Sequence, residues 1–182
     1  MNYQDITIIK REVIGALIPD GQSVTLLPGT EVLVTQALGG SFTVNVNGNL
    51  VRVDGRDADA LGREPVQFPV DRVKDLSGPV SEALLWDQLR TVYDPEIPVN
   101  IVDLGLVYEL VISEMDGGGY HIGVQMTLTA PGCGMGPVIA KDVESRLRMV
   151  PGVTSVDVVL VFDPPWSSEF MSEAAKLELG VL

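Results

Sequence analysis

The 182-residue chain has one cysteine and one histidine, and only 5% of its residues are aromatic. A single cysteine excludes an internal disulfide, and one thiol suits a reducing compartment. A single histidine argues against the usual Cys-His dyad. No stretch approaches the roughly 18 apolar residues of a membrane span. The opening Met1-Asn2-Tyr3-Gln4-Asp5 lacks the basic flank and apolar run of a signal peptide. The expectation is a cytoplasmic protein. With 46% apolar and 20% charged residues, the composition is that of a globular chain with one or two cores.

Positive charge is also scarce. There are 12 basic against 25 acidic residues, a net charge of -13, and the excess is uneven: 7 basic against 10 acidic up to residue 76, then 5 against 15. Such a field repels phosphate backbones and anionic lipid, which disfavours nucleic acid and membrane surfaces. A basic or neutral protein partner, or a cation, fits better.

Residues 1–64 read as short strands over 24–27, 31–36, 42–46 and 50–53, separated by Pro and Gly turns. Asn47-Gly48 between two alternating runs is a type I′ hairpin signal. This half holds no cysteine, no histidine and no phosphate-cradling glycine loop. The polar segment 71–79, ending Ser77-Gly78-Pro79, reads as a linker. After it, Ser81 caps a helix to about residue 92, with Leu85, Leu89 and Val92 as its apolar stripe. Strands over 106–112 and 122–129 form a hairpin. A helix over 137–149 buries Ile139, Val143, Leu147 and Val150, and a strand spans 153–162. Ser167 caps a last helix whose Phe170, Ala174 and Leu177 read as core. The expected class is α+β: a small all-β unit with its linker over 1–76, then a compact α/β domain over 77–182 in the order α-β-β-α-β-α.

Cys133 sits in Thr129-Ala130-Pro131-Gly132-Cys133-Gly134-Met135-Gly136-Pro137, between a strand and a helix. Glycines remove shielding Cβ atoms, prolines restrict the loop, and a helix N-terminus beside the sulfur favours thiolate. A thiolate is a nucleophile and a soft metal ligand; the alternative is a cysteine packed as a small hydrophobe. Asp94, Glu96 and Asp103 precede one hairpin strand, while Thr129 and Cys133 follow the other, so antiparallel pairing brings both sets to one end. That suits a mixed oxygen and sulfur site holding iron transiently, or a tuned thiolate. The plainer readings are turn formation by Asp94 before proline, a cap or turn at Asp103, and a strand end at Thr129. His121 lies eight residues before Thr129, roughly 26 Å along an extended strand, and reads as a solvent-facing strand residue.

Two blocks, Asp94-Pro95-Glu96-Ile97-Pro98-Val99-Asn100-Ile101-Val102-Asp103-Leu104-Gly105-Leu106-Val107-Tyr108 and Met126-Thr127-Leu128-Thr129-Ala130-Pro131-Gly132-Cys133-Gly134-Met135, resemble the MIP18 family domain over about residues 80–180. The resemblance implies an accessory role in iron-sulfur cluster assembly or client maturation, not an enzyme. It implies Cys133 as the residue contacting iron or an exchanging cluster, with Asp94, Glu96, Asp103 and Thr129 shaping the site. The expected partners are iron-sulfur assembly proteins and client apoproteins, and a homodimer is allowed. One cysteine falls short of the four thiolates a cluster usually needs, so the expectation is a labile cluster and none stably bound. A client-recruiting scaffold without metal, and a thiol enzyme with Cys133 as nucleophile, are the alternatives.

Overall fold

The computed structural model describes residues 5–74, 78–132 and 134–181. The chain mixes helices and sheets, an α+β protein, and its contacts divide it into two compact units, Met1–Phe68 and Pro69–Leu182. The expected linker begins just after that break, and its Asp75, Leu76 and Ser77 lie outside the described residues.

In the first unit, β1 (Asp5–Ile8), β2 (Val13–Leu17), β3 (Ser23–Leu26), β4 (Glu31–Leu38), β5 (Ser41–Val46) and β6 (Asn49–Asp54) form one sheet in the order β1-β4-β5-β6-β2-β3. Alternation decides which face is buried. Val32 and Val34 on β4, Phe42 and Val44 on β5, and Val51 and Val53 on β6 point into the core. The β5–β6 hairpin turns on Asn47 at φ 51°, followed by Gly48. A 3-10 segment, Gly55–Leu61, then carries Ala58, Ala60 and Leu61 into the same core.

Outside this core, Arg11 donates from Nη2 to Asp57 (2.7 Å) and Asp59 (2.6 Å), and from Nε to Asp59 (2.7 Å). Bonding to the guanidinium holds the Asp59 carboxyl below its ordinary value of 3.8. Since folding lowers this pKa, the stabilisation is present above the unfolded value and disappears as pH falls through the folded one. The pair is exposed, so the effect is small. Asp59→Asn is expected to lower the melting temperature slightly near neutral pH, with the gap closing in acid. A gap that persists unchanged in acid would exclude the charge interaction as its cause.

The second unit contains α1 (Glu82–Leu89), β7 (Val107–Glu114), β8 (Tyr120–Met126), α2 (Gly136–Arg148), β9 (Val153–Leu160) and α3 (Glu173–Leu179). Ser81 Oγ accepts the Leu84 N-H at 3.3 Å and caps α1. Leu85, Leu89 and Val92 are fully buried. The α-helix stops three residues short of Val92 because the chain tightens: Thr91 Oγ1 donates to Gln88 O (2.6 Å) and Val92 N to Leu89 O (3.1 Å). Strands β7 and β8 pair antiparallel from Val107 opposite Met126 to Glu114 opposite Tyr120. Strand β9 joins β8 in parallel after the α2 crossover. Ile139, Val143 and Leu147 of α2 are fully buried, as are Ile122, Val124 and Met126 of β8. Each such side chain taken from water contributes about 1.5–3 kcal/mol.

Two expectations need correction. Strand β8 ends at Met126 instead of Thr129, because its partner chain turns away at Gly105, where φ is 71°. At the C-terminal end, Ser167 Oγ accepts the Glu169 N-H and opens only a 3-10 turn, Ser168–Phe170. The cap of α3 is Ser172, whose Oγ accepts from Ala175 N at 3.2 Å. The later start changes the buried position to Ala175 and leaves Phe170 44% and Leu177 64% exposed, so neither is core.

Candidate functional site

The chain from Tyr93 to Leu106 is built by short polar side chains that close their own turns. Asp94 is 4% exposed, and its Oδ1 accepts from the N-H groups of Glu96 (2.8 Å) and Ile97 (2.9 Å). This is an Asx turn, the plainer of the readings that Asp before Pro allows. Asn100 does the same one turn later: its Oδ1 accepts from Val102 N (3.1 Å) and Asp103 N (2.9 Å), while Nδ2 donates to Asp103 Oδ2 at 2.6 Å. Asn100 was not singled out by the sequence reading, although Asn-x-x-Asp is a spacing at which such a turn closes. Glu96 is exposed, and Asp103 is half-buried.

The 103–105 turn is held from above by the C-terminal segment. Trp166 Nε1 donates to Leu104 O at 2.8 Å, and Ser172 N donates to Asp103 O at 2.8 Å. At Gly105 the two chains are so close that a Cβ would lie 2.2 Å from Phe170 O. The half-buried Trp166 therefore acts as a fixed clasp on the loop that presents Asp103.

The second loop leaves β8 beside the first. Thr127 N donates to Leu106 O at 2.8 Å, so residues 94–106 and 127–132 emerge from the same end of the β7–β8 pair. Thr127 is fully buried, and its Oγ1 has no hydrogen-bond partner among the described residues. Thr129 is half-buried; Ala130, Pro131, Gly132 and Gly134 are exposed. Cys133 itself lies outside the described residues. Helix α2 starts at Gly136, and Met135 at its cap position makes no side-chain cap bond. Uncapped N-H groups at a helix start favour an anion such as a thiolate within the first turn. Among the described residues there is no group of three or more His, Cys, Asp or Glu arranged to hold a metal ion, and no helix is long and apolar enough to cross a membrane.

His121 is far from these loops. It pairs with Ser113 and Ser155 near the opposite end of β8, and its Nδ1 is hydrogen-bonded to Ser155 Oγ at 2.8 Å. It is half-buried between β7 and β9 positions, a less open setting than the expected solvent-facing one.

Residues 82–158 match the family model described as iron-sulfur cluster assembly protein. The chain is 49% identical over 94 residues to an Fe-S protein maturation auxiliary factor of Porphyromonas gingivalis, a match covering 52% of this chain and 86% of that protein. It is 43% identical over 90 residues to the Fe-S protein maturation auxiliary factor SufT of Staphylococcus aureus, covering 50% of this chain and 98% of that one. Among solved structures, a domain of unknown function 59 from Bacillus anthracis is 40% identical and aligns with a TM-score of 0.48 over 56% of this chain and 92% of its own. Both named relatives carry the names of auxiliary factors. Identical at nearly half of the aligned positions to proteins whose length it almost spans, the chain belongs, through the half of it that they match, to the MIP18 family of iron-sulfur cluster assembly proteins.

Proposed function

We propose that this chain is an accessory factor in the maturation of iron-sulfur proteins, with Cys133 making transient contact with iron or a cluster on its way to a client. One observation carries the reading. In a member of this family, the loop bearing Asp94, Glu96 and Asp103 and the glycine-rich loop of Cys133 leave the same end of the β7–β8 pair, joined by the Thr127 to Leu106 bond. The cluster is cargo here. A stable four-thiolate site needs four cysteines and this chain has one, so remaining ligands come from a partner, a second copy or carboxylates. Weak ligation suits handover, because a carrier must release what it binds. The working partners are assembly proteins and client apoproteins in the cytoplasm.

A second reading, a client-recruiting scaffold that never touches metal, is favoured by the carboxylates themselves. Asp94 and Asp103 both accept hydrogen bonds within their own loop, which is what a structural turn requires. The two readings separate in one experiment. In cells dependent on this protein, Cys133→Ser is expected to lower the activity of iron-sulfur client enzymes by about tenfold or more, at least the loss seen when support of a metal ligand is removed. Circular dichroism should show the variant folded, and anaerobic incubation with iron and sulfide should give less visible absorption than wild type. Normal client activity in the folded variant would remove Cys133 from the mechanism and leave the scaffold.

A further inference from the structure

The exposure of Phe170 has a structural context that a misplaced core residue would lack. Gly105, Val107, Tyr108, Pro164 and Phe170 line an open, mainly apolar groove of about 470 Å³ in the second unit, within the range of roughly 300–1,000 Å³ typical of binding sites. Its walls are fixed before anything binds. Tyr108 Oη donates to Pro164 O at 2.9 Å, and the Tyr108 and Phe170 rings meet edge to face with centroids 6.0 Å apart. The bare Gly105 lets the Phe170 backbone lie directly on the turn. Groups held in place in advance lose little entropy on binding.

Charge identifies the occupant. Each exposed lining segment carries an exposed acid next to its groove residue: Glu109 beside Tyr108, Asp163 beside Pro164 and Glu169 beside Phe170. One cation lies close by, but it is engaged: Lys176 Nζ donates to the Glu169 backbone carbonyl at 3.1 Å, and the three exposed acids outnumber it. The chain beyond residue 76 has 5 basic against 15 acidic residues. At this groove a second copy would set its own acidic second half, 5 basic against 15 acidic residues, against the same exposed acids, and an anionic lipid surface or nucleic acid would be repelled likewise. Lysine and arginine, with apolar stems and cationic heads, complement aromatic walls and an acidic rim.

We propose that this groove docks an extended segment of a partner protein, an apolar anchor side chain entering between Tyr108 and Phe170 while flanking lysines or arginines face Glu109, Asp163 and Glu169. The inference rests on the reading that the chain acts on other proteins, and it makes no use of the thiol.

The test is fluorescence anisotropy on the full chain. The probe is a fluorescein-labelled hexapeptide of two lysines, phenylalanine, leucine and two lysines. One control replaces the central pair by serines, the other replaces the lysines by glutamates. Saturable binding of the probe alone is expected, weakened about tenfold or more by Phe170→Ala, as for an aromatic anchor at an interface centre. The double variant Glu109→Lys, Glu169→Lys changes only exposed positions and should weaken it similarly; added salt should do the same. Cys133→Ser should bind like wild type. Failure of the probe to bind, equal binding of the serine control, or indifference to both sets of substitutions would overturn the proposal. So would concentration-dependent dimerisation abolished by Phe170→Ala, which would assign the groove to a second copy. Client activity does not enter this measurement, so the groove and the maturation role can fail separately.

Discussion

Gly105→Ala is expected to destabilise the second unit by about 3 kcal/mol or more, and with it any activity that needs the Asp103 loop. Two penalties act together. The residue sits at φ 71°, where a side chain costs roughly 1–2 kcal/mol. The new Cβ would also meet backbone atoms, lying 2.2 Å from Phe170 O and 2.6 Å from its carbonyl carbon. A flexible side chain would swing aside, but this backbone is anchored on both sides through Trp166 to Leu104 and Ser172 to Asp103. Relief therefore means breaking at least one of these bonds. Gly180→Ala provides the control, since Gly180 has nearly the same φ of 69° and open space around its missing Cβ. Denaturant titration should find the control about 1–2 kcal/mol below wild type and Gly105→Ala well below that. Equal losses would mean that the C-terminal segment does not press on the turn.

What the sequence could convey depended on how local each cause was. Ser81 and the stripe Leu85, Leu89, Val92 announce themselves within a few residues, as do Ile139, Val143 and Leu147, and all six apolar positions are buried. The strands over 5–8 and 13–17 are short, as β3 is, but no Pro-Gly or Gly-Gly turn separates them as turns separate the later strands, and Gly15 interrupts the second. The end of β8 is a property of its neighbour: nothing within 122–129 reveals that the opposite chain turns at Gly105. The start of α3 posed a different difficulty. Ser167 and Ser172 are both good caps, and the choice between them is made by Ser172 N bonding to Asp103 O, 69 positions away in the chain. Choosing Ser167 made Phe170 look buried. Within the site, residue types at turn-forming spacing showed where the loops are, while the groove could not be foreseen, since it brings residues 105–108 against 164–170.

Asp94 offers the sharpest separation between building the site and acting in it. Asp94→Ala removes the acceptor for two part-buried N-H groups, Glu96 and Ile97, and an unsatisfied buried donor costs about 1–3 kcal/mol. The expected loss, measured by denaturant titration, is about 2–4 kcal/mol, so reduced client maturation in this variant would follow from a collapsed turn and say nothing about charge. Asp94→Asn is the informative partner. Its carbonyl oxygen can take both N-H groups, the Asx turn tolerates either residue, and only the negative charge is gone. Stability should return to within about 1 kcal/mol of wild type, and client maturation should return with it if the carboxylate is a turn builder. A folded Asp94→Asn chain that still fails to mature clients would instead make the charge itself part of the encounter with iron. In that case the turn bonds are what hold a ligand in place, and the metal-free scaffold loses the observation that favours it.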